Sequence, residues 1–583
     1  MGGALMTLGE LGFLGVFIGG GLGASGEYGL PTVIYYDIPE WSVMLANGWR
    51  SFRSYPWSTV YPSLAFFLAI LGFTFLGEGV CWLTERLTLG FRALFNRYTV
   101  AASLVVALGA NLAFASSSFY TVYAPWAQSF NGARALASVQ HLANESYDGR
   151  RADTADAARA AEWIAAQFES LGLQPAGQNE LGYYQDYVTR YRVPTEVPTC
   201  VLRSPGGQAI TLTHGVDFVE SIGPYSTGGW GAGEVVVVTS GSRDVWSIGQ
   251  LAIKYNIGPG EVERRERIAL ELAPGAFEDA LGLPSAGVLT LDDAGVSDYR
   301  FEMLARERTA GPAGPTLRLR RAWAERLLAD TGRSLDELLA LTHDGVEAFY
   351  VPTGWRAELH MPSEVRTDVV ARNVLAFWPG RDMVLDAEAI VVSAHYDGLG
   401  RRPDGTLHPG ANDNASGVAV MLEAIRVLKA QCFAPKRTLI LVAWTGGEFH
   451  EPPDYVNWLG ARLGFAEAYT VVAALDMQGL GAGTGHHLVA WRATSERLSQ
   501  VVARAAHKVG TPHTSLGPGL HADPALWPAP PRGIPAVTLS WAGSDNLAHR
   551  PTDRAEAVDL DKLAQAGRTL ALTLMVLASD PAY

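Results

Sequence analysis

The sequence predicts an α/β protein preceded by transmembrane helices. In the second half of the chain, short apolar runs that end in polar residues alternate with a helical pattern, which is typical of buried strands and the helices that cover them. The first 125 positions hold few charged residues and three long apolar runs, which is typical of membrane spans. With 583 residues the chain is too long for a single core, so we expect several structural units.

Five apolar segments predict the strands of one sheet. They are residues 373–377, 389–392, 437–444, 471–475 and 536–540. Residues 418–428 are largely apolar and follow a turn, so they predict a helix that packs on this sheet. Residues 154–171 have apolar side chains at helical spacing and predict an amphipathic helix that ends at Gly172.

Histidine and carboxylate side chains follow the predicted strands, at the edge where open α/β sheets keep their chemistry. Taken singly, each is more commonly a polar loop residue or a helix cap. Together they offer nitrogen and oxygen ligands without thiolate, which suit catalytic Zn²⁺. Two residues apart at a strand end, His395 and Asp397 point the same way, so Asp397 can hold one imidazole nitrogen and leave the other for a metal. The predicted metal ligands are His395, Asp413, Glu448, Asp476 and His549.

The segments AHYDGLG, PGANDNASGVA, VAWTGGE, ALDMQG, GIPAV and NLAHRPTD resemble the motifs of peptidase family M twenty-eight, the two-zinc aminopeptidases related to glutamate carboxypeptidase. The resemblance covers about residues 130–583 and implies a mixed-sheet zinc-exopeptidase domain of the phosphorylase/hydrolase-like class. It also implies one Zn²⁺ on His395 and Asp476 and another on Glu448 and His549. Asp413 would bridge the two ions, and Asp397 would orient His395. Two ions so placed would polarise a peptide carbonyl and supply a hydroxide.

The sequence departs from this family at the general base. The family has two consecutive glutamates after the second strand, the first as base and the second as metal ligand, and here Gly447 stands at the first of these positions. Glycine cannot accept a proton. The sequence leaves three alternatives open: His450 or Glu451 acts as the base, Glu448 acts as the base at the expense of a metal, or the domain keeps its fold with little or no activity.

The outer part of the chain is predicted to contain two units. Residues 126–195 and 361–583 form the zinc peptidase domain, and residues 196–360 form a smaller α+β insert that resembles a protease-associated domain. Within the insert, residues 234–238 and 287–291 predict strands, whereas 260–281 and 317–341 predict helices rich in Arg, Glu and Ala.

The amino-terminal part is predicted to cross the membrane at residues 1–25, 62–83 and 100–120. Residues 1–98 form a segment with two spans, and the third helix occupies 99–125. The loop between the second and third spans carries Arg86, Arg92 and Arg97 and should be cytoplasmic, which places the peptidase domain outside the cytoplasm.

Residues 1–90 carry a second resemblance, to the carboxyl-terminal third of dipeptide and oligopeptide ABC-transporter permeases. It rests on residues 2–5, 11–15, 39–45, 56–57 and 71–79. The earlier spans of such permeases would lie before Met1, so the chain either starts further upstream or reuses a permease segment as an anchor.

We therefore expect a membrane-anchored, extracytoplasmic zinc exopeptidase, most simply an aminopeptidase, with peptides as substrate and a peptide ABC importer as a possible partner. A transporter component and a catalytically silent binding domain are the alternatives. The net charge of -14 and the absence of a long basic run argue against nucleic acid as a partner. The three cysteines show neither paired nor metal-ligand spacing.

Overall fold

A computed structural model of the chain describes residues 118–583 with ten gaps, together with short pieces between residues 22 and 78. The gaps are position 153 and residues 178–181, 221–227, 240–266, 273–285, 293–313, 344–348, 450–468, 492–493 and 516–533. Two large sheets organise the described residues, and each has a hydrophobic core of its own. We call them the main sheet and the insert sheet.

The main sheet has nine described strands. In spatial order they are His513–Ser515, Leu488–Trp491, Ala536–Trp541, Thr470–Met477, Glu388–His395, Thr438–Trp444, Ser363–Trp378 and Gln174–Pro175, and Tyr184–Pro194 also pairs with Ser363–Trp378. All five predicted strands are confirmed. The four strands from Ala536–Trp541 to Thr438–Trp444 are parallel, so their carboxyl ends meet at one edge of the sheet.

Six helices contribute to the core of the main sheet. They are Phe119–Ala127, Gly132–Leu142, Ala155–Ser170, Ser416–Ala430, Glu496–Val509 and Leu560–Ser579. Both predicted helices are confirmed. The helix Ala155–Ser170 begins where the Thr154 side chain accepts a hydrogen bond from the Ala157 N–H. It ends before Gly172, whose φ of 64° is readily adopted only by glycine.

The helix Phe119–Ala127 differs from the predicted third membrane span, which was expected to run to residue 125. Ala124 and Ala127 are buried in the core of the main sheet. The Tyr123 hydroxyl lies 3.1 Å from the Ser579 hydroxyl of the last helix, within hydrogen-bonding distance. Residues 119–125 therefore pack on the main unit.

The insert sheet has eight described strands. In spatial order they are Ala209–Thr211, Thr199–Arg203, Phe349–Met361, Gly229–Thr239, Arg267–Glu271, Gly287–Asp292, Thr316–Arg320 and Phe218–Glu220. The strands predicted at 234–238 and 287–291 are confirmed. Two described helices, Arg321–Leu328 and Leu335–His343, follow the strand Thr316–Arg320.

The helix predicted at 260–281 is wrong where the structure describes it. Arg267–Glu271 is a fully buried strand between two parallel neighbours, so packing in the centre of a sheet overrides the helical preference of its Ala, Leu and Glu residues. The helix predicted at 317–341 begins instead with a strand. In Thr316–Arg320 the buried and half-buried residues alternate, which is the two-residue period of a strand.

The insert leaves and rejoins the main sheet at neighbouring positions. Pro194 pairs with Ser363 in an antiparallel ladder, and the Thr195 N–H donates to the Pro362 carbonyl at 2.9 Å. The insert core also includes Ala152 and Leu399, which come from segments of the main unit. The two units therefore share packed side chains in addition to the chain crossings.

Most of the predicted membrane segment lies outside the described residues. Every described position between 60 and 78 is helical, and Leu64, Phe67 and Phe75 are more than half exposed. None of the helices in the described part of the chain is both long enough and apolar enough to cross a membrane.

Candidate metal centre

Three of the predicted ligands meet at the carboxyl edge of the main sheet. Asp413, Glu448 and His549 each offer a ligand atom, and these atoms lie within 4.8 Å of one another. His549 Nε2 is 3.1 Å from a Glu448 oxygen and 3.5 Å from Asp413 Oδ2. The three side chains come from three different loops, so they converge only in the folded chain.

His395 joins this group through Asp413. It is buried at the end of the strand Glu388–His395, and its Nε2 lies 3.3 Å from Asp413 Oδ1. The other ring nitrogen, Nδ1, is 3.4 Å from Asp397 Oδ1. Asp397 is held in turn by the backbone N–H groups of Gly446 and Gly447, at 3.0 and 3.3 Å. Asp397 therefore faces His395 as the sequence predicts, and its position is fixed by the loop after the next strand.

Asp476 lies one strand away and is also buried. Its Oδ1 accepts hydrogen bonds from the Ser393 hydroxyl at 2.6 Å and from Trp444 Nε1 at 3.3 Å. Ser393 is its direct partner in the parallel ladder, two residues before His395. The assignment of Asp476 to a second metal ion therefore stays a prediction.

Two buried residues that the ligand analysis did not single out hold the turn that carries Asp413. Asp553 accepts hydrogen bonds from the backbone N–H groups of Asn412 and Asp413, at 2.7 and 2.9 Å. Arg150 donates to the carbonyl groups of Pro409 and Gly410 at 2.8 Å. Asp553 falls in the motif NLAHRPTD, but nothing in the spacing of either residue shows which backbone groups it meets.

Arg150 also ties this turn to two other segments. Its guanidinium donates to the Leu142 carbonyl at 2.6 Å and to the Tyr396 carbonyl at 2.8 Å. Because Tyr396 follows His395 directly, one fully buried side chain connects the first ligand segment with the Asp413 turn.

Gly447 occupies the position at which the resembling family has its general base. A Cβ atom added there would lie 2.5 Å from His395 Cγ and 2.7 Å from His395 Nδ1, far inside normal contact distance. With His395 in its present position, only glycine fits at position 447. His450 and Glu451, the two predicted substitutes, lie outside the described residues.

The electrostatics of the site favour a bound cation. Burial raises the pKa of Glu448, with His549 opposing this shift and Asp413 adding to it. Burial lowers the pKa of His395, but Asp397 and Asp413 together bring it well above its usual value. Burial also raises the pKa of Asp553 to about 7, although two N–H groups and Arg150 favour its ionised form. The carboxylates of Asp413 and Glu448 lie close together in a largely buried place, where a positive charge would stabilise their ionised forms. The donor set therefore fits a divalent metal ion.

A small cleft opens beside Asp413, Glu448 and His549. Besides these three residues, it is lined by Leu399, His408, Gly410, Arg550 and Asp553. Burial, together with the nearby Arg402 and His549, lowers the pKa of His408 to about 3, so this side chain is neutral at neutral pH. His408 was not among the predicted site residues, because a single histidine before a turn carries no recognisable spacing.

A comparison with known protein families matches the part of the chain that carries the predicted ligands. Residues 373–574 match the model of Peptidase family M28. The match to M28 begins on the strand Ser363–Trp378 and takes in His395, Asp413, Glu448, Asp476 and His549, so all five predicted ligands fall within it.

Individual relatives cover part of the chain. Aminopeptidase YwaD of Bacillus subtilis is 26% identical over 219 residues, which are 34% of this chain and 43% of that protein. Transferrin receptor protein 2 of Mus musculus is 31% identical over 136 residues, which are 23% of this chain and 16% of that protein. The chain therefore spans less than half the length of these curated relatives.

One solved structure extends the likeness over most of the described fold. The aminopeptidase from Aneurinibacillus sp. strain AM-1 is 16% identical and covers 77% of this chain and 94% of its own, with a TM-score of 0.53. At this identity the likeness concerns the fold alone, which is of the α/β class.

Proposed function

We propose that this chain is a zinc-dependent exopeptidase that removes residues from the amino terminus of peptides. The convergence of Asp413, Glu448 and His549 beside His395 carries the proposal, because nitrogen and oxygen donors at a cleft suit catalytic zinc. The M28 match over residues 373–574 supports peptide hydrolysis. The amino-terminal preference is supported by the names of two similar proteins, both of which are aminopeptidases.

The proposal includes two Zn²⁺ ions. Glu448 and His549 would hold one, His395 and Asp476 the other, and Asp413 would contribute to both. When bound, such ions polarise a peptide carbonyl and lower the pKa of a water molecule. Asp397 fixes the His395 ring so that Nε2 points to Asp413, and Asp553 with Arg150 keeps the Asp413 turn in place.

The proton acceptor for the attacking water is proposed among His450 and Glu451. Both follow Glu448 within three positions, and Gly447 has no side chain to take that role. Removal of a positioned general base costs about 10²- to 10⁴-fold in rate. The variants His450→Gln and Glu451→Gln identify it, because the variant that lacks the base should lose turnover by this factor and keep its zinc.

The test of the proposed function is hydrolysis of a panel of aminoacyl chromogenic substrates by the purified full-length chain, with zinc measured on the same sample. We expect chelator-sensitive turnover that Asp413→Ala abolishes and that Asp330→Ala, a change at an exposed aspartate of the insert, leaves intact. A zinc-loaded wild-type protein that cleaves none of the substrates, peptides included, would refute the peptidase proposal.

A catalytically silent binding domain is the second candidate function, and Gly447 is the observation that favours it. The absence of a base at this position, with no room for one beside His395, is what a site that binds metal or peptide without turnover would show. One relative, transferrin receptor protein 2, is a receptor by name. Zinc bound without turnover in the same test would support this candidate.

We further propose that the domain is anchored in a membrane, faces away from the cytoplasm and works beside a peptide ABC importer. The support is the apolar composition of the first 125 positions and the exposed apolar side chains of the helical positions between 60 and 78.

Extraction of cell membranes with carbonate should leave the chain in the pellet. Externally added protease should reach the domain in spheroplasts, and purification in mild detergent should recover an importer. A chain released by carbonate, or one consistently purified without an importer, would refute the corresponding part of the proposal.

A further inference from the structure

A short hairpin of the main unit forms one wall of the cleft. Gly400 pairs with His408 and Arg401 with Leu407, so the two ends of the hairpin are held together. Leu399, directly before it, and His408, at its end, both line the cleft beside the metal ligands. The position of this hairpin therefore sets the shape of the space next to Asp413 and Glu448.

The tip of the hairpin is held by a buried acid of the insert. Glu220, at the end of the strand Phe218–Glu220, is fully buried and contacts the Arg402 guanidinium, which is buried as well. The same carboxylate lies 2.7 Å from His214 Nε2. The other nitrogen of His214 is 3.7 Å from Asp404, the residue at the hairpin turn. Two insert residues thus meet two hairpin residues.

Hydrogen bonds within the hairpin connect Arg402 with the strand that ends at His408. The position of Arg402 therefore affects the positions of Leu399 and His408. The Arg402 N–H donates to the Thr406 carbonyl at 2.9 Å, and Asp404 accepts from the Thr406 N–H at 2.8 Å. On the opposite side, Leu399 is a member of the insert's hydrophobic core. The insert therefore contacts the hairpin at two places: Glu220 pairs with Arg402 at the tip, and the hydrophobic core of the insert packs on Leu399 at the base.

A buried ion pair is weak evidence for stability alone, because desolvation offsets much of the Coulomb attraction, but it can fix one arrangement among several. We propose that the insert completes the substrate site and that Glu220 is a positioning residue, which holds the 399–408 hairpin so that Leu399 and His408 form the wall against which substrate binds. This inference rests on the proposed peptidase function, whose substrate site it deepens.

The test compares Glu220→Gln with the wild-type full-length chain. Glutamine keeps the size of the side chain but removes the charge that holds Arg402. We expect KM to rise by about tenfold and kcat to stay nearly unchanged, because the variant loses binding energy that is equal in the substrate complex and the transition state. The zinc content should stay the same. Hydrogen exchange should accelerate in residues 399–408 and stay unchanged in the main-sheet strands. Glu220→Asp, which keeps the charge, should recover part of the wild-type KM.

The matched control is Glu358→Gln on the same sheet. Glu358 forms an exposed ion pair with Arg203 at 2.9 Å, so this variant makes the same chemical change where no hairpin depends on it. If Glu220→Gln does not fold, His214→Gln and Asp404→Asn weaken the same contact from its partly exposed side and should raise KM in the same direction.

A folded Glu220→Gln with wild-type KM and wild-type exchange in the hairpin would overturn the inference. Where Glu220→Gln does not fold, the same result from both substitute variants would overturn it. The exchange measurement needs no turnover. A wild-type chain without peptidase activity would therefore refute the proposed function, and the exchange in residues 399–408 would still decide the positioning role of Glu220.

Discussion

Gly447 couples two properties of the site at the scale of one residue. Its N–H helps to hold Asp397, and its missing side chain leaves room for the His395 ring that Asp397 faces. The resemblance places this glycine where the family has its general base, but the sequence does not show that His395 occupies the space that a side chain would need. A glutamate reintroduced here would therefore disturb the ligand it is supposed to assist.

We predict that Gly447→Glu gains no turnover and loses stability and zinc affinity, because the new Cβ would lie 2.5 Å from His395 Cγ. Overpacking of this kind typically costs about 1–3 kcal/mol in the free energy of unfolding. Denaturant unfolding and zinc titration of the variant measure both losses. Gly206→Glu is the matched control, since the nearest atom to an added Cβ there is 3.8 Å away. Turnover above wild type in Gly447→Glu would contradict the prediction.

The residue types at the proposed metal site could be predicted from the sequence because the chemistry of metal binding restricts them. Histidine and carboxylate side chains after consecutive buried strands leave few alternatives to a metal or a polar edge. His408 could not be predicted in this way. It enters the cleft only because a hairpin folds back beside the Asp413 turn, and this return is a tertiary contact without a local signal.

At the scale of elements, Arg150 connects three segments that surround the first ligand. Its donors meet the carbonyl groups of Leu142, Tyr396, Pro409 and Gly410, which belong to a helix end, the strand end after His395 and the turn before Asp413. A planar group with several fixed donors suits this task better than an ammonium group. The relative placement of His395 and Asp413 thus depends on a residue that touches neither.

We predict that Arg150→Met lowers the free energy of unfolding by at least about 3 kcal/mol, because several buried carbonyl groups lose their donor. Arg150→Lys should recover part of this loss. Urea unfolding of both variants measures it, with Arg159→Met as control, since the exposed ion pair of Arg159 with Asp156 contributes little. An Arg150→Met variant as stable as the control would show that these carbonyl groups find other partners.

Elements with strong local signals could be predicted, and those governed by their surroundings could not. The helix Ala155–Ser170 has an apolar stripe, a threonine cap and a terminal glycine, and each of these is visible in the sequence. The strand Arg267–Glu271 has residues that favour a helix, and only its burial between two parallel strands makes it extended.

At the scale of the whole molecule, the proposed metal site holds together loops that follow three of the four parallel strands. Asp413, Glu448 and His549 are far apart in the sequence and meet only in the folded chain, so an ion that binds them stabilises the folded state alone.

We predict that removal of zinc with a chelator lowers the melting temperature by about 5–10 °C, and that added zinc restores it. Differential scanning calorimetry of the wild type measures the shift, and Asp413→Ala should respond to neither treatment. Equal melting temperatures of the wild type with and without the chelator would mean that the three side chains bind no metal that contributes to folding.

The adjacency of Pro194 and Ser363 bears on the history of the chain. The insert enters and leaves through two residues that face each other in one ladder, so a module of this kind can be gained at a hairpin turn without any change in strand order. A module gained in this way supplies Glu220, the buried acid that contacts Arg402 in a hairpin of the main unit. Arg402 is buried and paired with Glu220 of the insert. Deletion of the insert would leave this buried cation without its partner, which is strongly destabilising. The insert is therefore harder to lose than to gain.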